Sequence, residues 1–218
     1  GFPMDIAVTM DRARLARKLA EITPGDLQYT TFGASGGEAI DFALKLARGY
    51  TQKTGVVSAV KGYHGHTGFA LAATDDYGNR YGPLTPGFRK VPFGDFDALQ
   101  ASVDDDTAAV IMETIPATAG FTVPPDDWYP RIRKLCDDRG VVMILDEVQA
   151  GLGRTGRLWA YEEWGVIPDI MVLGKGMSSA LIPLSAAVYR KHLQSFFDAD
   201  AFSHLSSGGG SDLACVAG

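Results

Sequence analysis

The stretch VVMILDEVQAGLGRTG, residues 141–156, runs from five apolar residues into two consecutive carboxylates, Asp146 and Glu147. A short apolar run that follows a glycine and ends in charged residues predicts a buried β-strand, here residues 141–148. Ligands of open α/β sheets bind beyond the carboxyl ends of the strands, so both acids lie at the predicted ligand edge. They are typical either of a solvent-facing turn or of a site that needs one buried negative charge.

Similar apolar runs alternate with segments of helical periodicity along the chain. Strands are predicted at residues 56–60, 108–115 and 169–173, and helices at residues 11–22, 37–52, 96–103 and 126–140. Near-continuous apolar strands that alternate with helices indicate a parallel sheet covered on both faces. We therefore expect an α/β fold with three layers, α/β/α, around a mostly parallel sheet. By composition alone, SSGGGS at 206–211 is typical of a flexible linker.

Composition and charge exclude several classes of protein. The chain has 218 residues, of which 46% are hydrophobic and 21% charged, as in ordinary globular proteins. The net charge is −6, and the 20 Lys and Arg residues form no basic run, which argues against a nucleic-acid partner. The apolar runs are much shorter than the ~18–20 residues that cross a bilayer. We expect neither a nucleic-acid nor a membrane partner.

The two cysteines, Cys136 and Cys215, lie far apart in the sequence, and Cys136 falls in a predicted helix. This spacing predicts neither a disulfide framework nor a zinc site, so we expect no metal and a reducing, cytoplasmic setting. The chain starts with Gly1, and its last segment, residues 212–218, stops without a helix cap. We expect residues 1–218 to be one domain of a longer protein.

Lys175 lies at the end of a predicted strand, as Asp146 does. The segment LGKG, residues 173–176, follows the strand predicted at 169–173 and contains Lys175. Strands of a parallel sheet end at the same edge, so Lys175 and Asp146 are expected at neighbouring strand ends. From the residues alone, they are either a pair with a shared ligand, a salt bridge, or two solvated loop residues.

Four motifs occur in order along the chain: FGASGGEAIDFALKLAR (32–48), YHGHT (63–67), DEVQAGLGRTGRLWAYEEWGVIPDI (146–170) and GKG (174–176). Together they resemble the class III (ω-type) aminotransferases, pyridoxal-phosphate enzymes of fold type I, over about residues 26–215. The resemblance implies the large cofactor-binding domain of such an enzyme, without the N-terminal segment and the C-terminal small domain. It also implies transfer of an amino group from an amino donor to a keto acid or aldehyde acceptor.

The resemblance implies two catalytic residues. Lys175 matches the family's Schiff-base lysine, whose amine binds the cofactor aldehyde and then moves the substrate proton. Asp146 matches the aspartate beneath the pyridine nitrogen, where a carboxylate keeps that nitrogen protonated. Glu147 is expected to face structural partners. On this interpretation, the strand at 141–148 delivers one acid to the cofactor.

The same resemblance implies a phosphate cradle at the predicted helix of residues 37–52. Gly36 and Gly37 lie where a loop enters that helix, and the first N–H groups of a helix lack internal partners and attract anions. Family members usually have Ser or Thr at the place of Gly37, so the amide is kept and a hydroxyl contact is lost. The alternative is a plain N-terminal turn.

Four more residues match cofactor contacts of the family. Tyr63 is expected to stack on one face of the pyridine ring and Val148 to pack on the other. Gln149 is expected near the phenolic oxygen, and Glu113 resembles the acid of an E-P motif in which Thr114 replaces the proline. The alternatives are a core aromatic residue, a core valine, a solvated glutamine and a structural glutamate.

The segment HLSSGGGSDLAC, residues 204–215, resembles the family pattern H-x-S-T-F-G-G-N-P-L-A-C. Ser207 then matches the threonine that binds the phosphate of the neighbouring subunit's cofactor, which implies a homodimer. The aromatic residue of the pattern is replaced by Gly208, so the alternative is a linker. The glycines that commonly follow the lysine motif are also absent, and Ser179, Ala180 and Leu181 mark a divergent subfamily.

Two alternatives to transamination remain open. The same cofactor chemistry serves decarboxylases, epimerases and aminomutases, and a chain of this fold can also be a non-catalytic domain. The motif DEVQAGLGRTG favours transamination over the amino-shift enzymes. The presence of both Lys175 and Asp146 argues against a non-catalytic domain.

Overall fold

The computed structural model describes residues 9–75 and 78–218, so residues 1–8 and 76–77 of the predicted domain lie outside the described part. Seven strands form one sheet in the order β1-β7-β6-β5-β4-β2-β3. The strands are β1 (Leu27–Gly33), β2 (Gly55–Ala59), β3 (Phe88–Val91), β4 (Thr107–Glu113), β5 (Val142–Asp146), β6 (Ile170–Leu173) and β7 (Ser185–Arg190).

The described α-helices are α1 (Met10–Ile22), α2 (Gly36–Thr51), α3 (Gly68–Ala73), α4 (Gly78–Tyr81), α5 (Phe96–Ser102), α6 (Trp128–Arg139) and α7 (Asp212–Ala217). Short 3₁₀ helices span Ala160–Trp164, Lys175–Ser178 and Lys191–Phe197. Side chains cap the N-termini of α2 and α5: Ser35 Oγ accepts a hydrogen bond from the Glu38 N–H, and the Asp95 carboxylate accepts one from the Ala98 N–H. Gly140 ends α6 in the left-handed conformation, as the sequence predicts.

The sheet is mostly parallel. β2 pairs in parallel with β3 and β4, and β5 pairs in parallel with β4 and β6. β7 alone is antiparallel to its neighbours, β1 and β6. All residues of β2, β4, β5 and β6 are buried, as expected for parallel strands that are covered on both faces.

Each face of the sheet carries its own hydrophobic core. Helices α1, α5, α6 and α7 pack on one face with residues such as Met143 and Leu145. Helices α2 and α3 pack on the other face with Val142 and Ile144. Successive strand residues point to opposite faces, so Asp146 continues the α2 face of β5. This arrangement confirms the predicted three-layer α/β/α class.

The structure corrects several element boundaries. The strands predicted at 108–115 and 141–148 end earlier, at Glu113 and Asp146. β1, β3 and β7 were not predicted from the residue pattern. β1 and β3 are only partly buried, so neither shows a continuous apolar run. β7 is buried but begins with the short residues Ser185, Ala186 and Ala187, which give little strand signal.

The glycine-rich segment 206–211 is not an open linker. Gly209 and Gly210 are buried, and a β-carbon at Gly210 would lie 2.7 Å from the β-carbon of Phe32. Ser211 then caps α7 by accepting from the Ala214 N–H. The glycines therefore serve close packing against β1, which composition alone does not distinguish from flexibility.

Candidate active site

A cavity of ≈ 370 Å³ opens at the carboxyl edge of the parallel strands. This volume suits a small organic molecule. It brings together eight of the nine predicted site residues, all except Ser207. Its walls comprise Ser35, Gly36, Gly37, Tyr63, His64, Gly65, His66, Thr67, Glu113, Asp146, Val148, Gln149 and Lys175.

The sheet register places two acids side by side on the cavity floor. Glu113 and Asp146 are direct partners at the ends of β4 and β5. Partners in a parallel pair share a face, so both carboxylates point to the α2 side of the sheet. Asp146 is only 4% exposed. A buried carboxylate is stable only with compensating partners, and the cavity wall supplies them.

Asp146 is held by two hydrogen bonds. His64 Nδ1 lies 2.8 Å from Asp146 Oδ2, and the Val148 N–H donates to Oδ1 at 3.0 Å. An ionised carboxylate only accepts, so the His64 ring donates through Nδ1. His64 Nε2 is buried and has no hydrogen-bond partner in the described ranges. The sequence did not indicate His64 as a site residue, because its partner lies 82 residues further along the chain.

Glu113 ties the wall of the cavity to the sheet. Its Oε1 accepts from the Tyr63 N–H at 2.8 Å, and its Oε2 accepts from the Ala117 N–H at 3.3 Å. Burial raises the pKa of Glu113, and the nearby His64 ring opposes that rise. Glu113 therefore positions the backbone of Tyr63 and also lines the cavity.

Glu147 points away from the cavity, as expected. Its carboxylate accepts from the Thr114 hydroxyl at 2.5 Å and from the N–H groups of Ala160 and Tyr161 at 2.9 and 3.1 Å. It is 2% exposed, and burial raises its pKa. The two consecutive acids therefore serve opposite faces of the sheet: Asp146 faces the site and Glu147 a structural network.

The start of α2 forms an anion cradle. Ser35 Oγ accepts from the Glu38 N–H at 3.2 Å, while the Glu38 carboxylate accepts from the Ala34 N–H at 2.7 Å. The N–H groups of Gly36 and Gly37, the first two helical residues, have no acceptor inside the helix. Both glycines line the cavity, so these N–H groups suit an anion placed there.

Lys175 begins the 3₁₀ helix after β6 with a φ of 38°, in the left-handed region that non-glycine residues rarely adopt. Such strain is often found at functional sites. Its side chain is exposed to the cavity. Within the described ranges it forms no ion pair with Asp146, which is bonded to His64 instead. The salt-bridge alternative is therefore wrong.

Tyr63, Val148 and Gln149 are half-buried residues of the cavity wall. A β-carbon at Gly36 would lie 3.1 Å from Val148 Cγ1, and one at Gly174 would lie 3.2 Å from the same atom. Val148 therefore packs between two glycines. Ser207 is exposed and does not line the cavity of its own chain.

Across residues 9–75 and 78–218, no group of three or more His, Cys, Asp or Glu side chains could hold a metal ion. Among the helices of the same ranges, none has the length and apolar character of a membrane span.

The chain is similar to known proteins over nearly its whole length. It is 54% identical to an uncharacterised aminotransferase of Archaeoglobus fulgidus over 210 residues, 96% of this chain and 50% of that protein. It is 41% identical to acetylornithine aminotransferase of Methanopyrus kandleri over 208 residues, 94% of this chain and 53% of that protein. The chain thus spans about half the length of these curated relatives.

A solved structure shares the fold. The ornithine aminotransferase of Toxoplasma gondii, described with partial occupancy of pyridoxal phosphate at its active site, superposes with a TM-score of 0.91 and 31% identity. The match covers 99% of this chain and 53% of that one, and it confirms the predicted fold type I. Residues 3–218 match the family described as Aminotransferase class-III. The chain therefore belongs to the class III aminotransferases, a family that depends on pyridoxal phosphate.

Proposed function

We propose that this chain is the cofactor-binding large domain of an aminotransferase that moves an amino group from an amino donor to a keto acid or aldehyde acceptor. One observation supports this most directly. A single cavity unites the amine of Lys175, the buried carboxylate of Asp146, and the N–H groups of Gly36 and Gly37, which have no acceptor inside α2. The chain's length, about half that of its relatives, supports a domain of a longer protein.

These groups fit the three functional parts of pyridoxal phosphate. The N–H groups of Gly36 and Gly37 suit its phosphate, because a helix start attracts anions. The Asp146 carboxylate suits its basic ring nitrogen, since a buried negative charge favours the protonated form. The Lys175 amine suits its aldehyde, because a primary amine condenses reversibly with an aldehyde.

When bound, pyridoxal phosphate supplies an aldehyde for amine condensation and a ring that accepts electron density. The protein groups then have distinct roles. Lys175 Nζ accepts the proton from the substrate carbon and then donates it to a second carbon, so that one amine moves the proton between the two. Asp146 keeps the proton on the ring nitrogen, and His64 Nδ1, 2.8 Å away, fixes the carboxylate.

The remaining wall residues hold the ring in place. Tyr63 and Val148 are proposed to pack on its two faces, and Gln149 to lie near its phenolic oxygen. Glu113 acts on the site through the backbone of Tyr63, which it holds at 2.8 Å. All four residues line the cavity, which supports these roles.

We also propose a homodimer in a reducing, cytoplasmic setting. Ser207 is exposed at the surface of its own chain, where its hydroxyl is available to donate a hydrogen bond to the cofactor phosphate of a neighbouring subunit. Both cysteines are free thiols in the structure, which supports the reducing setting.

The proposal is tested by locating the cofactor on the full-length protein. Reduction with borohydride should attach the cofactor mass to the peptide that contains Lys175. Lys175→Ala should lose that mass, the visible absorbance of the bound cofactor and all turnover. The control Lys53→Ala changes a lysine outside the cavity and should retain all three. Turnover by Lys175→Ala, or the mass on another lysine, would contradict the proposal.

The reaction type is tested with a panel of amino donors. An aminotransferase should convert a donor only when a keto acid or aldehyde acceptor is present, and the acceptor should gain the nitrogen. Loss of carbon dioxide, inversion at the substrate carbon or an internal amino shift without an acceptor would indicate a decarboxylase, an epimerase or an aminomutase instead.

A further inference from the structure

Thr67 lies directly beside the anion cradle at the start of α2. A β-carbon added at Gly37 would lie only 2.9 Å from Thr67 Oγ1 and 3.5 Å from Thr67 Cγ2. Both residues line the cavity. The Thr67 hydroxyl therefore occupies the space that a side chain at position 37 would need, next to the first N–H groups of α2.

The hydroxyl of Thr67 is not used by the helix that it precedes. Thr67 is the N-cap residue of α3 and has the extended backbone of a cap, with φ −88° and ψ 167°. A threonine there normally accepts from an N–H two or three residues later. Its side chain makes no such bond, because Asp41 Oδ1 on α2 accepts from the Ala70 N–H at 2.8 Å.

Gly65 brings this segment onto the helix start. Its φ is 120°, a conformation that favours glycine, and a β-carbon there would lie 2.8 Å from the Cα of Gly37. The backbone of residues 65–67 can therefore approach α2 this closely only because position 65 is glycine. This close approach holds Thr67 at the cradle.

We propose that the Thr67 hydroxyl donates a hydrogen bond to the cofactor phosphate, beside the N–H groups of Gly36 and Gly37. The inference rests on the proposed function, because it requires pyridoxal phosphate in the cavity. A hydrogen bond to a charged acceptor is stronger than one between neutral groups. Asp41 is then a positioning residue, since it caps α3 and leaves the Thr67 hydroxyl available.

The first experiment compares cofactors with and without the phosphate. Pyridoxal phosphate and pyridoxal are titrated into the full-length apoprotein, and binding is read from the quenching of tryptophan fluorescence. Thr67→Val, which keeps the shape and removes the hydroxyl, should weaken pyridoxal phosphate about tenfold or more and leave pyridoxal unchanged. Thr67→Ser, the matched control, should bind both as the wild type does.

The second experiment moves the hydroxyl across the cradle. Gly37→Ser alone should weaken pyridoxal phosphate, because its side chain displaces Thr67. In the double variant Gly37→Ser/Thr67→Ala the space is free and a hydroxyl returns from position 37. That variant should bind pyridoxal phosphate more tightly than Thr67→Ala alone.

The outcomes separate this inference from the proposed function. A wild-type protein that does not bind pyridoxal phosphate would overturn both. If the wild type binds it, equal binding by Thr67→Val, or an equal loss of pyridoxal, would overturn the role of Thr67 alone. Should the melting temperature show that apo Thr67→Val is unfolded, the double variant decides, and a lack of recovery relative to Thr67→Ala overturns the inference.

Discussion

Asp146 and Glu147 are adjacent in the sequence but have different neighbours. Burying a carboxylate is costly, and hydrogen bonds offset that cost only where donors are already in place. Asp146 has the His64 ring and the Val148 N–H, whereas Glu147 has three donors on the opposite side of the sheet. Substituting each acid should therefore affect a different property.

Asp146→Asn should impair the chemistry more than the fold. The amide keeps the size of the side chain but cannot hold a proton on the ring nitrogen by charge. We expect turnover to fall by about 100-fold or more, as when a preorganised charge-stabilising group is removed. The measurement is the steady-state rate with a working donor and acceptor. A rate within a few-fold of the wild type would argue against the role of Asp146.

Glu147→Gln should impair the fold more than the chemistry. Its NH₂ group must face an N–H or O–H donor, so the free energy of unfolding should fall by about 1–3 kcal/mol. Burial raises the pKa of Glu147 above 4.5, so in the wild type its contribution weakens as pH rises from 4.5 towards the folded pKa. The glutamine variant should lack this pH dependence. Denaturant unfolding measures both effects, and loss of cofactor affinity without loss of stability would contradict this role.

Cys136 should be an unreactive thiol in the native protein. Burial raises its pKa from 9.0 to about 12. Because the unfolded thiol ionises first, its contribution to stability is present below pH 9 and is lost as pH rises towards 12. The stability advantage of the wild type over Cys136→Ala should therefore shrink over that range. Alkylation at pH 8 should label Cys136 in denaturant but not in the native state, and rapid native labelling would refute its burial.

The loop after β6 contains three non-glycine residues in the left-handed region. Lys175, Ser179 and Ala180 have φ values of 38°, 52° and 61°. Each such residue costs roughly 1–2 kcal/mol relative to the right-handed region. The strain at Lys175 accompanies its place in the cavity, whereas Ser179 and Ala180 are exposed and lie outside it.

Ala180→Gly should stabilise the protein. Relief of the left-handed strain is offset partly by the larger entropy of glycine in the unfolded chain, which leaves a net gain of about 0.5–1 kcal/mol. The matched control is Ala101→Gly, at an exposed position of α5, which should destabilise by about 1 kcal/mol. Thermal unfolding of both variants tests the prediction, and a lower melting temperature for Ala180→Gly would rule it out.

The whole sheet explains why the site residues meet. The parallel strands β2, β4, β5 and β6 all end at one edge of the sheet. Each has a residue that lines the cavity, either at its carboxyl end or shortly after it. β1 runs in the same direction, because β7 is antiparallel to both β1 and β6. The helix start after β1 therefore reaches the same edge as Asp146 and Lys175. Helices pack on both faces of the sheet and bury these strands.

The proposed homodimer can be tested with mixed subunits. Lys175→Ala and Ser207→Asp should each be inactive, the second because its charge repels the neighbour's phosphate. If Ser207 serves the other subunit, a mixed dimer has one intact site. After unfolding and refolding together, an equal mixture should regain about a quarter of wild-type activity, as random pairing of a symmetric dimer requires.

A matched mixture controls for this complementation. Lys175→Ala and Asp146→Asn both alter the cavity of their own chain, so no mixed dimer of these two has an intact site. That mixture should stay inactive. Recovery in the control, or none in the test mixture, would refute a site shared between subunits.

The sequence by itself predicted the buried half of the sheet and most of the cavity. β2, β4, β5 and β6 are covered on both faces, so they appear in the sequence as apolar runs. The ends of these runs indicated where Asp146 and Lys175 would lie. Helix ends such as Gly140 could also be predicted, because capping depends on neighbouring residues.

Only the tertiary structure decided the strands β1, β3 and β7 and the polar contacts around the site. The His64 ring reaches Asp146 across 82 residues, and Asp41 frees the hydroxyl of Thr67 by capping α3 from another helix. The physical reason is that burial leaves a periodic pattern in the chain, whereas a hydrogen bond between distant residues depends on which elements pack together.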